Sequence, residues 1–365
     1  VELGESAESI GFFFDELRKR KARVELEDSI KEKVLPMIEN PATDAGNKPL
    51  EAATELMNAC ADIRRKYRVN TLGSSLNFTT DIDARIKEYQ RRKELNGLMG
   101  IPYPFDPMNQ CTGGLIGGEL TVILANSGIG KTWFLCLLAR HAFQQGRKVL
   151  FVSQEMQPAR LSIRLDALLA GVSPDRMRRG CLTAEEESKL YSFYDGLKYC
   201  PGKLIIYGPQ DVNSMASFEA LLSVMHTQVD LVLWDSPYLC IRSDTWEARA
   251  EFVRALKQAA ECYNMPVAIT WQLNNEGKAS LTGAIKTDAD HNFELIKDEA
   301  MHDLPQLKVR SSKTRDGIEL TEMLLTWDTA KADFSLLSWK AVGIGGSQHA
   351  YAVALPTAMA VPGGG

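Results

Sequence analysis

Long hydrophobic runs are missing from this sequence. Its apolar stretches are about the length of a β-strand, whereas a membrane-spanning helix needs roughly 20 residues. A membrane protein is therefore not expected, and no secretory signal is visible. Cysteine pairing is missing too. Cys60, Cys111, Cys136, Cys181, Cys200, Cys240 and Cys262 are scattered without a Cys-x-x-Cys pair. That argues against a zinc ribbon or a disulfide frame, and for reduced thiols in a cytoplasmic compartment. The histidines, His141 and His226 among them, lack metal-ligand spacing. Positive charge is not in excess either: 42 Lys and Arg against 47 Asp and Glu leave a net charge of -5. The globally basic footprint of many nucleic-acid binders is thus excluded. A strand held by a few local loops inside a ring or groove is not.

What is present is enough for a folded core. The 365 residues are 45% hydrophobic and 24% charged, ordinary figures for one large domain plus a smaller one. Residues 1–70 read as a helical N-terminal region rich in Glu, Lys, Arg and Ala. Within it, the cluster Arg18-Lys19-Arg20-Lys21-Ala22-Arg23 reads first as a solvated helix face and second as a binding patch. Residues 71–104 read as a linker carrying one helix over 81–96, with Thr79 or Thr80 as its N-cap. Its Ile82, Ile86 and Tyr89 recur at helical spacing. The stripe is too narrow for the centre of a core and suits a helix that docks on something else. From 105 to 340, short apolar runs at 120–124, 148–153, 204–207, 231–234, 267–271, 307–310 and 320–327 alternate at first with helical stretches. That pattern predicts an α/β domain with a mostly parallel sheet flanked by helices and antiparallel additions at its end. Residues 341–365 turn into Gly, Ala, Pro and Ser and read as a tail with little fold of its own.

The chemistry starts at Ala125-Asn126-Ser127-Gly128-Ile129-Gly130-Lys131-Thr132, between the predicted strand 120–124 and a helix opening near Lys131. Backbone N–H groups of such a glycine-rich turn face phosphates, and the helix dipole favours negative charge there. Lys131 is then aimed at the β- and γ-phosphates of ATP and the Thr132 hydroxyl at Mg²⁺. Glu155 follows the strand 148–153, at the carboxyl end where open α/β sheets bind ligands. Position alone leaves two readings open: the base that takes a proton from attacking water, or an acid at the start of a helix. Asp235 ends the run 231–234 as a magnesium-holding carboxylate should, whereas Asp230 begins the same run, at the wrong end. Gln272 ends the strand 267–271 and is placed to sense the γ-phosphate. Lys313 and Arg315, spaced Lys-x-Arg, read as a solvated turn or as a cationic clamp on phosphate charge; composition favours the turn.

Six segments in order resemble the RecA-like motor domain of the DnaB family of replicative hexameric helicases. They are Thr112-Gly113-Gly114-Leu115-Ile116-Gly117-Gly118-Glu119-Leu120, the P-loop with Ala125 at its head, and Ser153-Gln154-Glu155-Met156. Then come Arg164 with Ala170-Gly171-Val172, Pro266-Val267 through Gln272-Leu273-Asn274, and Ser312-Lys313-Thr314-Arg315-Asp316-Gly317. The resemblance covers roughly residues 80 to 335 and implies a RecA-like P-loop ATPase core. It makes Glu155 the catalytic base, and Lys313 and Arg315 a clamp acting on ATP bound by the neighbouring subunit, Arg315 as the arginine finger. Helix 81–96 is similar to the family's linker helix, which docks on the adjacent protomer. Residues 280–290 are similar to its DNA loop, which puts strand contacts on Lys278, Ser280, Leu281 and Gly283.

The implied activity is an ATP- and Mg²⁺-dependent DNA helicase. It would be a homo-oligomeric ring, expected to be a hexamer, translocating 5′ to 3′ on single-stranded DNA, with a primase or a helicase loader as further partner. Its place would be the cytoplasm of a bacterium or of a phage-infected host. Departures are the residues at Ser280-Leu281, where the family has an Arg-Glu pair, Asp235-Ser236-Pro237-Tyr238 in place of Asp-Tyr-Leu, and the first 70 residues. A divergent, phage-encoded member would carry departures of this kind. The alternative is a RecA- or KaiC-like ATPase that assembles on DNA or protein without unwinding. A scaffold that binds nucleotide without turning it over is a third reading, and Glu155 speaks against it.

Overall fold

The computed structural model describes residues 17, 19–39, 48–67, 77–243, 245–273, 287–298, 301, 304–315, 317–342 and 348–351. They divide into two units, one of residues up to 86 with 216–223, the other of residues 87–215 and 224 onward.

The first unit is helical as far as it is described. Residues 19–29 run on through a π-helical turn, Ile30–Val34, into Leu35–Glu39, and this stretch packs against α1, Lys48–Tyr67. Ala52 and Ala59 are buried on α1, seven positions apart and so on one helix face. The boundary between the units falls within α2, Ile82–Glu94. The residue before α2 is Asp81, while Thr79 and Thr80 sit in the preceding turn, which corrects the expected cap. There, Asn77 Oδ1 accepts from the Thr79 and Thr80 N–H groups and Asp81 Oδ2 from that of Asn77. None of α2's residues is buried; Ile82, Ile86 and Tyr89 are all exposed. Arg91, Arg92 and Lys93 in the last turn suit the negative end of the helix dipole.

In the second unit, β1 (Leu120–Ala125) is buried along its whole length, as a strand covered on both faces must be. It lies in a ten-stranded sheet of order β10-β9-β8-β7-β6-β1-β5-β4-β2-β3. The other strands are β2 (Lys148–Ser153), β3 (Lys203–Tyr207), β4 (Leu231–Asp235), β5 (Val267–Gln272) and β6 (His291–Ile296), followed by β7 (Gln306–Thr314), β8 (Glu319–Thr326), β9 (Leu336–Val342) and β10 (Gln348–Tyr351). From β6 to β3 every pairing is parallel; from β6 to β10 every pairing is antiparallel. The helices of this unit include α3 (Asp106–Thr112), α4 (Lys131–Gln144), α5 (Pro158–Ala170), α6 (Pro174–Arg179) and α7 (Ala184–Leu197). Two more follow: α8 (Met215–Met225), most of which groups with the first unit, and α9 (Trp246–Tyr263). One core holds Phe134, Phe151 and Phe293 wholly buried, while Trp234, also wholly buried, packs against Phe252 of α9. The Phe134 ring stacks on Trp327, centroids 6.2 Å apart.

The strands expected from apolar runs all form. Three others were not foreseen. β6 reads His-Asn-Phe-Glu-Leu-Ile, so its polar residues hide a strand whose first five positions are buried. β9 follows a turn rich in Ala, Lys and Asp. β10 corrects the expectation of an unfolded tail, since 348–351 pair antiparallel with 339–342 of β9. Backbone hydrogen bonding to an open strand edge decides the outcome there, against a weak side-chain pattern.

Candidate active site

The P-loop leaves the carboxyl end of β1 and enters α4 at Lys131. Gly128 and Gly130 turn the chain at φ 79° and 113°. At Gly130 a side chain is excluded twice, by that angle and by the Trp327 ring, whose Nε1 lies 2.9 Å from where a Cβ would stand. No side chain caps the N-terminus of α4, so its N–H groups face the loop as anion donors.

Lys131 folds back over this turn, its Nζ donating to the carbonyls of Ala125 (3.3 Å) and Asn126 (3.2 Å). Burial pulls its pKa down, while the Glu155 and Asp235 carboxylates push it up. Thr132 Oγ1 donates to Asp235 Oδ2 at 2.8 Å, and Thr270 Oγ1 donates to Asp235 Oδ1 at 2.7 Å. Asp235 is fully buried. Its burial raises the carboxyl pKa, against the two hydroxyl hydrogen bonds that lower it. These are hard oxygen donors converging where phosphates would arrive, the chemistry that suits magnesium. Among the described residues no cluster of three or more His, Cys, Asp or Glu could hold a metal ion.

Sheet order brings the remaining groups alongside. β5 lies between β1 and β4, pairing Ala125 with Gln272, and β2 pairs Ser153 with Asp235. Glu155, just past β2, has its Oε2 3.3 Å from the Ser236 hydroxyl that donates to it, and Gln272 Oε1 accepts from the Tyr238 hydroxyl at 2.9 Å. Ser236 sits in the left-handed region at φ 56°, a conformation strained for a serine. Its N–H donates to Thr270 Oγ1 at 2.7 Å. Thr270, Ser236 and Tyr238 thus belong to the site although sequence reasoning did not assign them to it. The departure Ser236-Pro237-Tyr238 was the available signal.

Lys313 and Arg315 lie elsewhere. β7 runs antiparallel to β6 and pairs Thr314 with His291, which stands opposite Thr121 near the start of β1. At about 3.3 Å per residue, the six residues of β1 separate its two ends by about 17 Å. The P-loop is at one end and the Lys-x-Arg pair is at the other, so Arg315 cannot serve the P-loop of its own chain. Both cations reach one segment, residues 287–290. Lys313 Nζ donates to the Thr287 carbonyl at 2.9 Å and to that of Ala289, and Arg315 Nη1 to Asp290 Oδ1 at 2.8 Å. Burial, then the nearby Arg315 charge, lower the Lys313 pKa. The expected strand contacts Lys278, Ser280, Leu281 and Gly283 lie outside the described residues.

Known proteins are similar to this chain in sequence and fold. The DnaB-like helicase C-terminal domain family model matches residues 100–335. The replicative DNA helicase DnaB of Treponema pallidum (strain Nichols) is 25% identical over 264 residues, 68% of this chain and 58% of that protein. A DnaB-like replicative helicase of Enterobacteria phage T4 is 26% identical over 260 residues, 65% of this chain and 53% of that protein. This chain spans a little over half the length of these relatives. One solved ATPase domain superposes with a TM-score of 0.62 at 18% identity, covering 71% of this chain and 99% of that domain. A DnaB-like replicative helicase, solved in connection with its interactions with primase, gives 0.60 at 17% identity, covering 87% of this chain and 76% of that one. The fold is therefore the RecA-like ATPase fold, and the chain belongs to the DnaB-like helicase C-terminal domain family.

Proposed function

We propose that the chain is an ATP-driven DNA helicase motor whose active site is completed only by a second copy. The observation that carries this is the separation of the site's two halves, phosphate and metal groups at one end of β1 and cationic pair at the other. Bound magnesium, with the Thr132 hydroxyl and Asp235 carboxylate as its oxygen donors, supplies positive charge for the phosphates. Lys131 swings from the Ala125 and Asn126 carbonyls onto the β- and γ-phosphates. Glu155, steadied by Ser236, takes the proton of the attacking water, and Gln272, steadied by Tyr238, senses the γ-phosphate. From the next subunit, Arg315 as arginine finger and Lys313 beside it stabilise the transition-state charge.

Copies associate head to tail into a ring, a hexamer on the family's pattern, around single-stranded DNA. Lys278, Ser280, Leu281 and Gly283 track the strand 5′ to 3′. The names of the relatives support the DNA substrate. A primase or a helicase loader is the further partner class, and the cytoplasm is the place of action. No described helix is long and apolar enough to cross a membrane.

A fork-unwinding assay on wild type, Lys131→Ala and Arg315→Ala tests the reading. Wild type separates strands with ATP. Lys131→Ala loses both turnover and unwinding. Arg315→Ala binds nucleotide normally but hydrolyses it roughly a thousandfold more slowly, as loss of an arginine finger does. Robust ATPase without strand separation would instead favour an assembling RecA- or KaiC-like ATPase. Full ATPase in the assembled Arg315→Ala protein would remove the finger assignment.

A further inference from the structure

We infer that Asp290 is a positioning residue for the trans-acting cations, fixing the direction in which Arg315 is presented to the neighbouring subunit. This rests on the role proposed above for Arg315. Asp290 is buried, 2% exposed, immediately before β6. Its Oδ2 accepts the Leu120 N–H at 2.8 Å and lies 2.7 Å from Lys257 Nζ. Its Oδ1 takes Arg315 Nη1 at 2.8 Å. The backbone adds a second hold, since the Arg315 N–H donates to the Asp290 carbonyl at 2.9 Å and the Asp290 N–H to that of Leu120 at 3.0 Å. One carboxylate therefore ties together the start of β1, helix α9 and the end of β7.

A guanidinium has five N–H donors in a rigid fork. Asp290 engages one of them from the buried side, while the Arg315 side chain as a whole is 48% exposed. The outward donors keep a fixed direction, which is what a bidentate grip on phosphate needs. Lys313 is held by the same segment through different chemistry, the carbonyls of Thr287 and Ala289. Residues 287–290 thus orient both cations, and they form the end of the segment 280–290 likened above to the family's DNA loop. Asp290 does not itself reach nucleotide: it acts through Arg315.

A purely structural ion pair would predict only instability, so the test uses mixed assemblies. Asp290→Asn keeps the side chain's shape and removes its charge. Alone, with single-stranded DNA, it should turn over ATP about tenfold more slowly, less than the 10²–10³ for deleting a transition-state donor outright. Binding of a fluorescent ATP analogue at its intact P-loop should stay within about twofold of wild type. Mixed with Lys131→Ala, which brings an intact Asp290–Arg315 pair, roughly one interface in four is complete and turnover returns. Mixed with Arg315→Ala it does not. If Asp290→Asn fails to fold, Asp290→Glu, which keeps the charge but moves it by one methylene, takes its place in the same mixtures.

Wild-type turnover by the variant alone, or a loss that Lys131→Ala subunits fail to rescue, overturns the inference. The underlying reading fails separately, if Arg315→Ala keeps full turnover or is itself not rescued by Lys131→Ala.

Discussion

At the scale of single residues, the Glu155 carboxylate and the Gln272 amide each accept a hydrogen bond from one hydroxyl. Ser236 donates to Glu155 and Tyr238 to Gln272, and both hydroxyls come from the short turn after β4. The strained backbone at Ser236 is held by its N–H bond to Thr270 Oγ1, whose own hydroxyl proton goes to Asp235. Glu155, Asp235 and Gln272, proposed above as base, metal carboxylate and phosphate sensor, are therefore all tied to the turn after β4 or to its Thr270 anchor. Losing one such hydrogen bond is worth about 0.5–1.5 kcal/mol, or roughly two- to thirteenfold in rate. Ser236→Ala and Tyr238→Phe should each lower kcat by that factor while KM for ATP stays put. Steady-state ATPase assays with saturating single-stranded DNA measure it, and wild-type kcat in both variants would detach these hydroxyls from catalysis.

At the scale of elements, α7 begins with a full capping box. The Thr183 hydroxyl accepts from the Glu186 N–H while the Glu186 carboxylate accepts from that of Thr183. Glu186 also takes the Arg176 guanidinium on both oxygens, at 2.7 and 2.6 Å, and the Ser173 N–H. The Arg176 hydrogen bonds first, then the backbone N–H groups, hold its pKa down at about 2. Since the folded pKa lies below the unfolded one, the stabilisation is complete above an unfolded Glu pKa of about 4.3 and fades as pH falls toward 2. Thermal melts between pH 6 and pH 2 should therefore show a steeper acid decline for wild type than for Glu186→Gln. Parallel declines would mean that the cap contributes nothing through its charge.

At the scale of the whole molecule, α2 displays Ile82, Ile86 and Tyr89 to solvent in the single chain, with 49%, 50% and 68% of their surface exposed. Ile86→Asp should leave the melting temperature of the monomer nearly unchanged, as exposed substitutions do. It should also cut the fraction of large species seen in sedimentation with ATP analogue. Assembly equal to wild type would end the docking role of this helix.

The parts of the fold and site that sequence makes legible are those whose groups are contiguous or end a strand. The P-loop is one run. Asp235 and Gln272 each close a parallel strand and Glu155 follows one by two residues, and parallel strands share one ligand-binding edge. Asp290 was not legible as a hub, because Leu120 is 170 positions away along the chain and only the pairing of β1 with β6 joins them. β6 itself hid behind His291, Asn292 and Glu294, polar residues that are nonetheless buried.

One consequence concerns how sites are counted. With the site completed in trans as proposed, a closed ring of n copies would have n complete sites, whereas an open spiral would have n − 1. An open spiral would then carry one idle P-loop at one terminus and one idle Arg315 at the other. Those termini are where a copy can be added or lost without disturbing any finished site, and where an opening for the strand leaves all remaining sites intact.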